Sequence, residues 1–539
     1  MSEIKSGLFG NLKVTEKQFL LFIIFINLII KALPASVIEL GNDEVYYWTY
    51  ALFPDWSHFD HPPMVGLIIQ LFTLNLTFQS EFFIRLGSLV LSSLNILLLF
   101  QIVKRIYSVE AAYISSLLFT ASIYFNIICG LLIMPDTPQI SFIMLALYYG
   151  LPAFTAVNHT KGDSLKIILF GLFTGLAFLS KYHALFLWFG LGLYILFHDR
   201  RWLKRPSLYI SLFVTLLVMI PVIYWNINNN FISFTFHESR VGLFNSPIRA
   251  ETFLPFFLGQ FFYQNPVLSV IYILTLFSLY KKGRNRLSAT DKLLLNLSLP
   301  LILIFTLSSL FNDTYPHWTG PAFIGLIILS SGWLNEKLVS NRKTIINTLL
   351  GSNLLVILAL LLGIAQINYG LFFAPMKGQD PKELGTNDVT LDMFGWHQAD
   401  IQFQQFLKKE GIEQKDYDKV KIITNNWFPA AHIDFYMAHP LNIDLFVSGT
   451  LGETHKYFWI NKARKINPGD KIFYITSSQF FKDPEMLGGK YLRFIHMDTL
   501  QIKRNGKTVK NLFIYEINMV DKSQNEMIVN FLRIGDQRS

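Results

Sequence analysis

The chain is organised as a series of apolar segments of roughly 20 residues, separated by short polar or basic stretches. A helix of about 20 apolar residues is long enough to cross the hydrocarbon core of a membrane. Only 15% of the 539 residues are charged, whereas an average soluble chain carries about 25%. The sequence therefore predicts an all-α polytopic membrane protein over residues 1–374, with about 11 transmembrane helices. The predicted spans are 18–39, 81–103, 109–131, 137–157, 165–180, 183–198, 206–226, 255–280, 292–311, 321–336 and 343–369.

Basic residues gather in short clusters between these segments. The clustered residues are Lys104, Arg105, Arg200, Arg201, Lys204, Arg205, Lys281, Lys282, Arg284, Arg286, Lys337, Arg342 and Lys343. They all fall on one side of the membrane if the N-terminus is cytoplasmic, which is the positive-inside pattern. Because this pattern explains the net charge of +9, nucleic acid is not an expected partner. The loops that then face outward are 41–63, 135–138, 227–254 and 312–320.

Residues 375–539 have the composition of a soluble domain. An amphipathic helix is predicted over 402–410, and turns are predicted at Pro468–Asp470 and Asn505–Gly506. The predicted strands are Val420–Thr424, Ile472–Thr476, Tyr491–His496 and Leu512–Ile517. We expect an α/β domain outside the cytoplasm, because an odd number of spans precedes it.

The first outer loop concentrates ionisable groups at the edge of the membrane, where an unused charge is costly. Asp43 and Glu44 either form the solvated first turn of an interfacial helix or supply a general base for an attacking hydroxyl. Asp60 forms a local turn, helps the base, binds a hydroxyl or ligates a metal together with His58 and His61. Interfacial helices are predicted over Glu44–Phe53 and Met64–Phe78.

Two cations lie at the outer ends of spans, where the positive-inside pattern does not place them. Arg85 and Lys181 either extend to lipid headgroups or neutralise an anionic leaving group such as a lipid phosphate. Asp136 caps the fourth predicted span or faces the same cavity as Lys181. His317 lies between Tyr315 and Trp318, which an aromatic belt at the interface also explains.

The order of these motifs resembles a known group of enzymes. The motifs are Asp43-Glu44, Phe59-Asp60-His61-Pro62-Pro63, Ile84-Arg85-Leu86, Pro135-Asp136-Thr137-Pro138, Ser180-Lys181-Tyr182 and Pro316-His317-Trp318. Over about residues 40–340 the chain resembles bacterial members of the dolichyl-phosphate-mannose protein mannosyltransferase-like superfamily. The nearer relatives are the aminoarabinose transferases of lipid A and related polyprenyl-phosphate-sugar glycosyltransferases.

The resemblance implies a C-type glycosyltransferase fold and an inverting transfer of a sugar from a polyprenyl (undecaprenyl) phosphate. The implied acceptor is a hydroxyl or phosphate of an envelope molecule such as lipid A, a glycan or a protein. The implied location is the bacterial inner membrane, with the active site and the C-terminal domain facing the periplasm or the cell exterior. No cofactor is implied with certainty, and a divalent metal stays an open alternative.

The resemblance also assigns roles to residues. Asp43 matches the principal acidic residue and Asp60 the second acidic position. The chain departs from the aminoarabinose transferases at His61, where they carry Lys, and at Tyr46, where they carry Arg. Arg85 and Lys181 are then expected to supply more of the charge that binds the lipid phosphate, with His61 contributing if it is protonated. Tyr46, Asp136 and His317 are further candidates for substrate binding.

A transporter or flippase for a lipid-linked saccharide is the alternative from another class. A transporter more often carries ionisable residues in the middle of its spans and repeats its halves. Here the candidate residues gather on one face and no repeat is visible, which favours an enzyme.

Overall fold

A computed structural model of the protein describes residues 15–157, 160–241, 247–372, 379–488 and 492–519. They form two compact units, which we call unit 1 and unit 2. Unit 1 lies within Met1–Ala35 and Asp55–Leu360, and unit 2 within Ser36–Pro54 and Leu361–Ser539. The predicted domain boundary at 374/375 lies outside the described residues, as do parts of the 227–254 loop and residue 491.

Helices make up unit 1. The helices from the start of the chain to the end of the last apolar segment are α1 (Glu16–Val37), α2 (Asn42–Leu52, in unit 2), α3 (Met64–Phe72), α4 (Glu81–Ile106), α5 (Val109–Thr120), α6 (Asp136–Thr155), α7 (Lys161–Phe178), α8 (Phe186–Phe197), α9 (Pro206–Asn228), α10 (Ile232–Val241), α11 (Ala250–Gln264), α12 (Pro266–Lys282), α13 (Ala289–Ser308) and α14 (Phe323–Tyr369). Their core is built from buried aliphatic and aromatic side chains of α4 to α9 and α12 to α14. Close packing of such side chains is the main source of its cohesion.

Within the described residues, five helical segments are long and apolar enough to cross a membrane, or six if one bent pair forms a single span. The multi-pass prediction is therefore confirmed, whereas the count of about 11 spans stays a prediction. The predicted span 255–280 is two helices, α11 and α12, which meet at 97°. The break falls at Asn265, whose φ of 81° is left-handed, and at the following Pro266. The predicted spans 321–336 and 343–369 lie in one helix, α14, kinked at Asn341.

Helices form at both stretches that were predicted to lie along the interface, as α2 and α3. Helix α3 ends at Phe72, six residues before the predicted end. The reason is local: Leu74, Asn75 and Leu76 all have positive φ values, which an α-helix cannot accommodate.

Unit 2 contains a mixed five-stranded sheet with the order β2-β1-β3-β5-β4. The strands are β1 (Val420–Asn425), β2 (Asp444–Ser448), β3 (Lys471–Ser477), β4 (Leu492–Arg504) and β5 (Lys507–Met519). Strand β1 pairs in parallel with β2 and β3, and β5 pairs antiparallel with β3 and β4. The predicted turn at Asn505 and Gly506 closes the β4–β5 hairpin, with positive φ at both residues.

The remaining helices of unit 2 cover the sheet or lie at its edges. They are α15 (Trp396–Lys409), α16 (Trp427–Ile433), α17 (Leu451–Thr454), α18 (Tyr457–Ala463) and α19 (Glu485–Gly488). Helix α15 contains the predicted amphipathic segment, and its Phe406 ring lies 5.2 Å from the ring of Phe473 in β3. The α/β character of the C-terminal region is therefore confirmed. Strand β2 had not been predicted.

Candidate functional site

A buried ion pair lies at the centre of the candidate site in unit 1. The Nζ of Lys181 is 2.8 Å from Oδ2 of Asp136, and both side chains are almost fully buried. The other carboxylate oxygen of Asp136 accepts a 2.7 Å hydrogen bond from the hydroxyl of Tyr124. Asp136 is the first residue of α6, where the helix dipole favours a carboxylate. Since an unpaired buried charge is costly, each partner fixes the position of the other.

The 3₁₀ helix Pro316–Ala322 packs over this pair and carries His317. Gly320 lets the segment approach, because a Cβ at this position would lie 2.0 Å from the ring of Tyr124. The side-chain amide of Gln260 donates a 2.6 Å hydrogen bond to the first carbonyl of the segment. The position of His317 is therefore set by contacts with α11 and with the residue that holds Asp136.

Histidines and one arginine surround the ion pair. Lys181 interacts electrostatically with His61, His183 and His317, and His61 interacts with Arg240 as well. The rings of His61 and His237 lie 5.9 Å apart. We call this group the Lys181 cluster; it consists of His61, Asp136, Lys181, His183, His237, Arg240 and His317. The histidines and Arg240 are partly exposed, whereas the ion pair beneath them is buried.

Helix α10 holds the end of the first outer loop in this group. The ring Nε2 of His237 lies 2.6 Å from the backbone oxygen of Asp60, and the hydroxyl of Ser233 donates a 2.8 Å hydrogen bond to the carbonyl of Phe59. The same hydroxyl lies 2.9 Å from the hydroxyl of Tyr182, which follows Lys181. Asp60, the second acidic residue of the predicted site, therefore lies beside the Lys181 cluster, and its backbone oxygen makes the contact.

The guanidinium of Arg240 lies among aromatic rings. It is 5.0 Å from the ring centre of Phe236, 5.5 Å from that of Tyr315 and 5.6 Å from that of Trp318. Such contacts hold a cation without neutralising it. Arg240 therefore keeps its charge for an anionic ligand.

His61 and His237 are neutral near pH 7. Desolvation lowers the pKa of His61 well below its ordinary value, and the neighbouring Lys181 and His237 lower it further. Desolvation also lowers the pKa of His237, against the effect of its hydrogen bond to Asp60. The positive charge next to Lys181 thus comes from Arg240. The neutral ring of His61 adds a positive charge only when an anion binds beside it.

Arg85 is buried in α4, and its Nη1 donates a 3.3 Å hydrogen bond to the backbone oxygen of Ala35 at the end of α1. This contact ties the second long helix to the end of the first. Its predicted contact with a substrate phosphate stays a prediction.

Asp43 and Glu44 occupy the first turn of α2 in unit 2, and their side chains differ in exposure. The carboxylate of Glu44 is buried and accepts a 3.0 Å hydrogen bond from the backbone N–H of Gly41, closing the start of its own helix. The side chain of Asp43 is exposed. The same turn thus has one buried carboxylate that stabilises the helix and one exposed carboxylate.

The C-terminal part of unit 2 holds the start of α2 from several directions. The ring Nε2 of His432 lies 2.9 Å from Oδ1 of Asn42, and Oδ2 of Asp392 lies 3.5 Å from the backbone nitrogen of Asn42. The backbone N–H of Leu40 donates a 2.7 Å hydrogen bond to the hydroxyl of Tyr436. The helix that carries Asp43 is therefore positioned by the C-terminal part of unit 2.

Tyr46 is fully buried in the aromatic core that joins α2 to this region. Its ring centre lies 4.6 Å from that of Trp427 and 5.9 Å from that of His455. Its hydroxyl accepts a 3.3 Å hydrogen bond from the backbone N–H of Lys456. These contacts give Tyr46 a packing role, and its predicted role in substrate binding stays a prediction.

In the part of the chain that the structure describes, no three His, Cys, Asp or Glu side chains converge as a metal site would require. This observation leaves the metal dependence of the reaction open.

Unit 1 brings together four of the predicted site residues. They are His61, Asp136, Lys181 and His317. Asp43, Glu44 and Tyr46 share one helix of unit 2. Sequence reasoning did not assign His183, His237, Arg240 and Tyr124 to the site. His237 and Arg240 lie in the 227–254 loop, a polar stretch in which a charge carries no local signal.

The chain is similar to known proteins in sequence and in fold. Residues 60–225 match the dolichyl-phosphate-mannose-protein mannosyltransferase family. The predicted resemblance is confirmed. The chain is 27% identical over 306 residues to the lipid A galacturonosyltransferase RgtD of Rhizobium johnstonii, a match that covers 54% of this chain and 60% of RgtD.

The fold is that of ArnT from Cupriavidus metallidurans. The structure of ArnT bound to undecaprenyl phosphate superposes with a TM-score of 0.63 at 13% identity, over 93% of this chain and 98% of that chain. The apo structure of ArnT gives a TM-score of 0.59 at the same identity and coverage. At this identity the likeness establishes the fold of the chain and not its substrates.

Proposed function

We propose that this protein is an integral membrane glycosyltransferase that moves a sugar from a polyprenyl phosphate, such as undecaprenyl phosphate, to an envelope acceptor with inversion. The observation that carries the proposal is the Lys181 cluster: a buried lysine–aspartate pair beneath partly exposed histidines and a charged Arg240. The similarity to RgtD and the fold of ArnT support the same reaction class.

The Lys181 cluster suits a lipid phosphate as its ligand. Asp136 pairs with Lys181, and Arg240 adds a second cation that aromatic rings hold. A phosphodiester donor carries one negative charge, which these two cations attract. The ring N–H of neutral His61 is a suitable hydrogen-bond donor to its oxygens, whereas the N–H of neutral His237 is already donated to the backbone oxygen of Asp60.

The same groups can stabilise the leaving phosphate as the sugar departs. The bond between the anomeric carbon and the phosphate oxygen breaks, its electron pair stays on that oxygen, and the phosphate gains negative charge. A second negative charge beside the histidines raises their pKa and favours the protonated rings. The cluster thereby binds the product anion more strongly than the donor, which is the condition for stabilising a transition state between them.

Asp43 is the general base in this proposal. Its exposed carboxylate accepts the proton of the acceptor hydroxyl as that oxygen forms the new bond to the anomeric carbon. Direct displacement from the face opposite the phosphate inverts the configuration. Asp60, which lies at the cluster through its backbone, is the candidate for holding a sugar hydroxyl or assisting the base.

Unit 2 serves to hold the base in this account, because His432 and Asp392 contact the residue next to Asp43. We further propose that the protein resides in the bacterial inner membrane and that the reaction occurs on its periplasmic or outer face. The acceptor is a lipid such as lipid A, a glycan or a protein.

The test is mass spectrometry of envelope glycolipids and glycans from cells with and without the gene, followed by complementation with Lys181→Gln. We expect one sugar mass to disappear from one class of envelope molecule and to return with the wild-type gene but not with the variant. An unchanged envelope would contradict the proposal.

A further inference from the structure

A cationic pocket lies in unit 1 among residues of the basic clusters. It has a volume of about 420 Å³ and is formed by the end of α8, the 3₁₀ helix Arg284–Arg286 and the first turns of α13. Pockets that take small ligands have volumes of about 300 to 1,000 Å³. The Lys181 cluster does not contribute to its lining.

Three basic side chains converge on this pocket. His198 interacts electrostatically with both Arg284 and Lys292, and all three line the pocket. Among the described residues, neither Arg284 nor Lys292 forms an ion pair. The amide side chain of Asn296 adds a polar group to the same wall.

The acidic residues next to these cations are engaged elsewhere. Asp199 receives two hydrogen bonds from the guanidinium of Arg201, at 2.8 and 2.9 Å. Asp291 accepts a 3.0 Å hydrogen bond from the backbone N–H of Ser288 and closes the start of α13. The pocket therefore keeps an uncompensated positive charge, which favours an anion.

Apolar side chains form the rest of the pocket lining and extend from it to the exposed surface. Phe197 and Leu295 belong to its lining, and 63% of the surface of Phe197 is exposed. The walls are held together because Gly190 of α8 packs tightly on α13: a Cβ there would lie 2.3 Å from the carbonyl of Asn296. A ligand that suits this surface has an anionic head and an apolar body.

We propose that this pocket binds the phosphate headgroup of an anionic phospholipid at the membrane face that carries the basic clusters. Lipid phosphates lie at the depth where membrane helices end and their flanking basic residues begin. Basic pockets between membrane helices are established sites for anionic headgroups, whose phosphate pairs with Lys and Arg. The inference does not depend on the glycosyltransferase reaction, so either can fail without the other.

The experiment uses the purified full chain in a neutral detergent with added phosphatidylglycerol or phosphatidylcholine. Native mass spectrometry measures bound lipid, and thermal unfolding measures stabilisation. The test variant is Arg284→Gln/Lys292→Gln. The matched control is Lys282→Gln/Arg286→Gln, which removes the same charge from the same segment outside the pocket lining.

We expect phosphatidylglycerol to bind the wild-type chain and the control variant equally and to bind the test variant roughly 25-fold more weakly, about fivefold for each charge removed. The single variant Arg284→Lys, which keeps the charge, should bind nearly as well as the wild type and more strongly than Arg284→Gln. Equal binding by the test variant and the control would overturn the proposal, as would equal binding of the two lipids by the wild-type chain. Inorganic phosphate that stabilises the chain as well as phosphatidylglycerol does would assign the site to a soluble anion instead and also overturn it.

Discussion

The ring Nε2 of His432 lies 2.9 Å from Oδ1 of Asn42, the first residue of the helix that carries Asp43. The ring also stacks on Trp396 at 4.3 Å, so Asn42 of α2 and Trp396 of α15 together fix its orientation. A segment nearly 400 positions along the chain thus sets the position of the predicted base. The C-terminal part of unit 2 therefore has a structural role in holding Asp43, the proposed base.

Replacing His432 with Phe should keep the stacking on Trp396 and remove the hydrogen bond to Asn42. The loss of such a bond costs about 1 kcal/mol, and we expect the turnover number to fall about fivefold. The KM for the lipid donor should stay the same, because the proposed phosphate site lies in unit 1. His496→Phe makes the same change on an exposed position of β4 and is the control. A raised donor KM with unchanged turnover would contradict a positioning role.

Lys181→Gln should abolish donor binding and destabilise the protein by about 3 to 5 kcal/mol, because the carboxylate of Asp136 stays buried without its partner. The double variant Asp136→Asn/Lys181→Gln removes both charges and should regain most of the stability. It should still fail to bind undecaprenyl phosphate. Thermal unfolding and lipid binding measured on the same preparations separate the two effects, and recovery of binding in the double variant would refute the role of Lys181.

Arg240→Gln should raise the KM for the lipid donor about tenfold, since a hydrogen bond to a charged group is worth about 1.5 to 3 kcal/mol. Arg240→Lys should retain part of this affinity, because it keeps a cation near the same aromatic rings. Arg249→Gln is the control, because Arg249 is exposed and pairs with Glu251. Equal donor KM values for the Gln variants at these two positions would exclude Arg240 from the phosphate site.

Asp392 makes the stability of the protein depend on pH. Desolvation is the main cause that raises the pKa of its carboxyl from 3.8 to about 6, and Glu44 raises it further. The folded state therefore binds more protons than the unfolded state between these values, and stability falls as the pH rises from about 4 to 6. A difference of about 2 in pKa corresponds to about 3 kcal/mol.

Asp392→Asn should remove this loss of stability at higher pH, because the asparagine side chain carries no charge. Its amide oxygen can still accept a hydrogen bond from the backbone N–H of Asn42. At pH 7 the variant should be more stable than the wild type by up to about 3 kcal/mol, and at pH 4 the two should agree. Denaturant unfolding of the full chain at both pH values measures the difference. A variant that is less stable than the wild type at pH 7 would show that the charge of Asp392 is needed.

Sequence patterns predicted the elements that depend on residues close together along the chain. Alternation and turn residues predicted β1, β3 and the β4–β5 hairpin, since each depends on neighbours along the chain. Strand β2 was missed because Asp444–Ser448 is short and its parallel partner Val420–Asn425 is distant in sequence. The bend at Asn265 was missed because its two apolar arms together look like one span.

The candidate site was predicted in part for the same reason. Lys181 and Asp136 stood out as charges at the ends of apolar segments, and the structure pairs them. His237 and Arg240 lie in a polar stretch, where charge carries no local signal, and only the fold brings them to Lys181. The packing of α2 with the C-terminal region joins parts of the chain that sequence patterns treat separately.

The most direct test compares Asp43→Asn with the wild type in two assays on the purified protein, binding of undecaprenyl phosphate and transfer of the sugar from its lipid donor. Asparagine keeps the size of the side chain and cannot accept the acceptor proton as a base. We predict binding equal to the wild type together with transfer reduced at least about a hundredfold, the contribution typical of a general base. Transfer at the wild-type rate by Asp43→Asn would contradict the account.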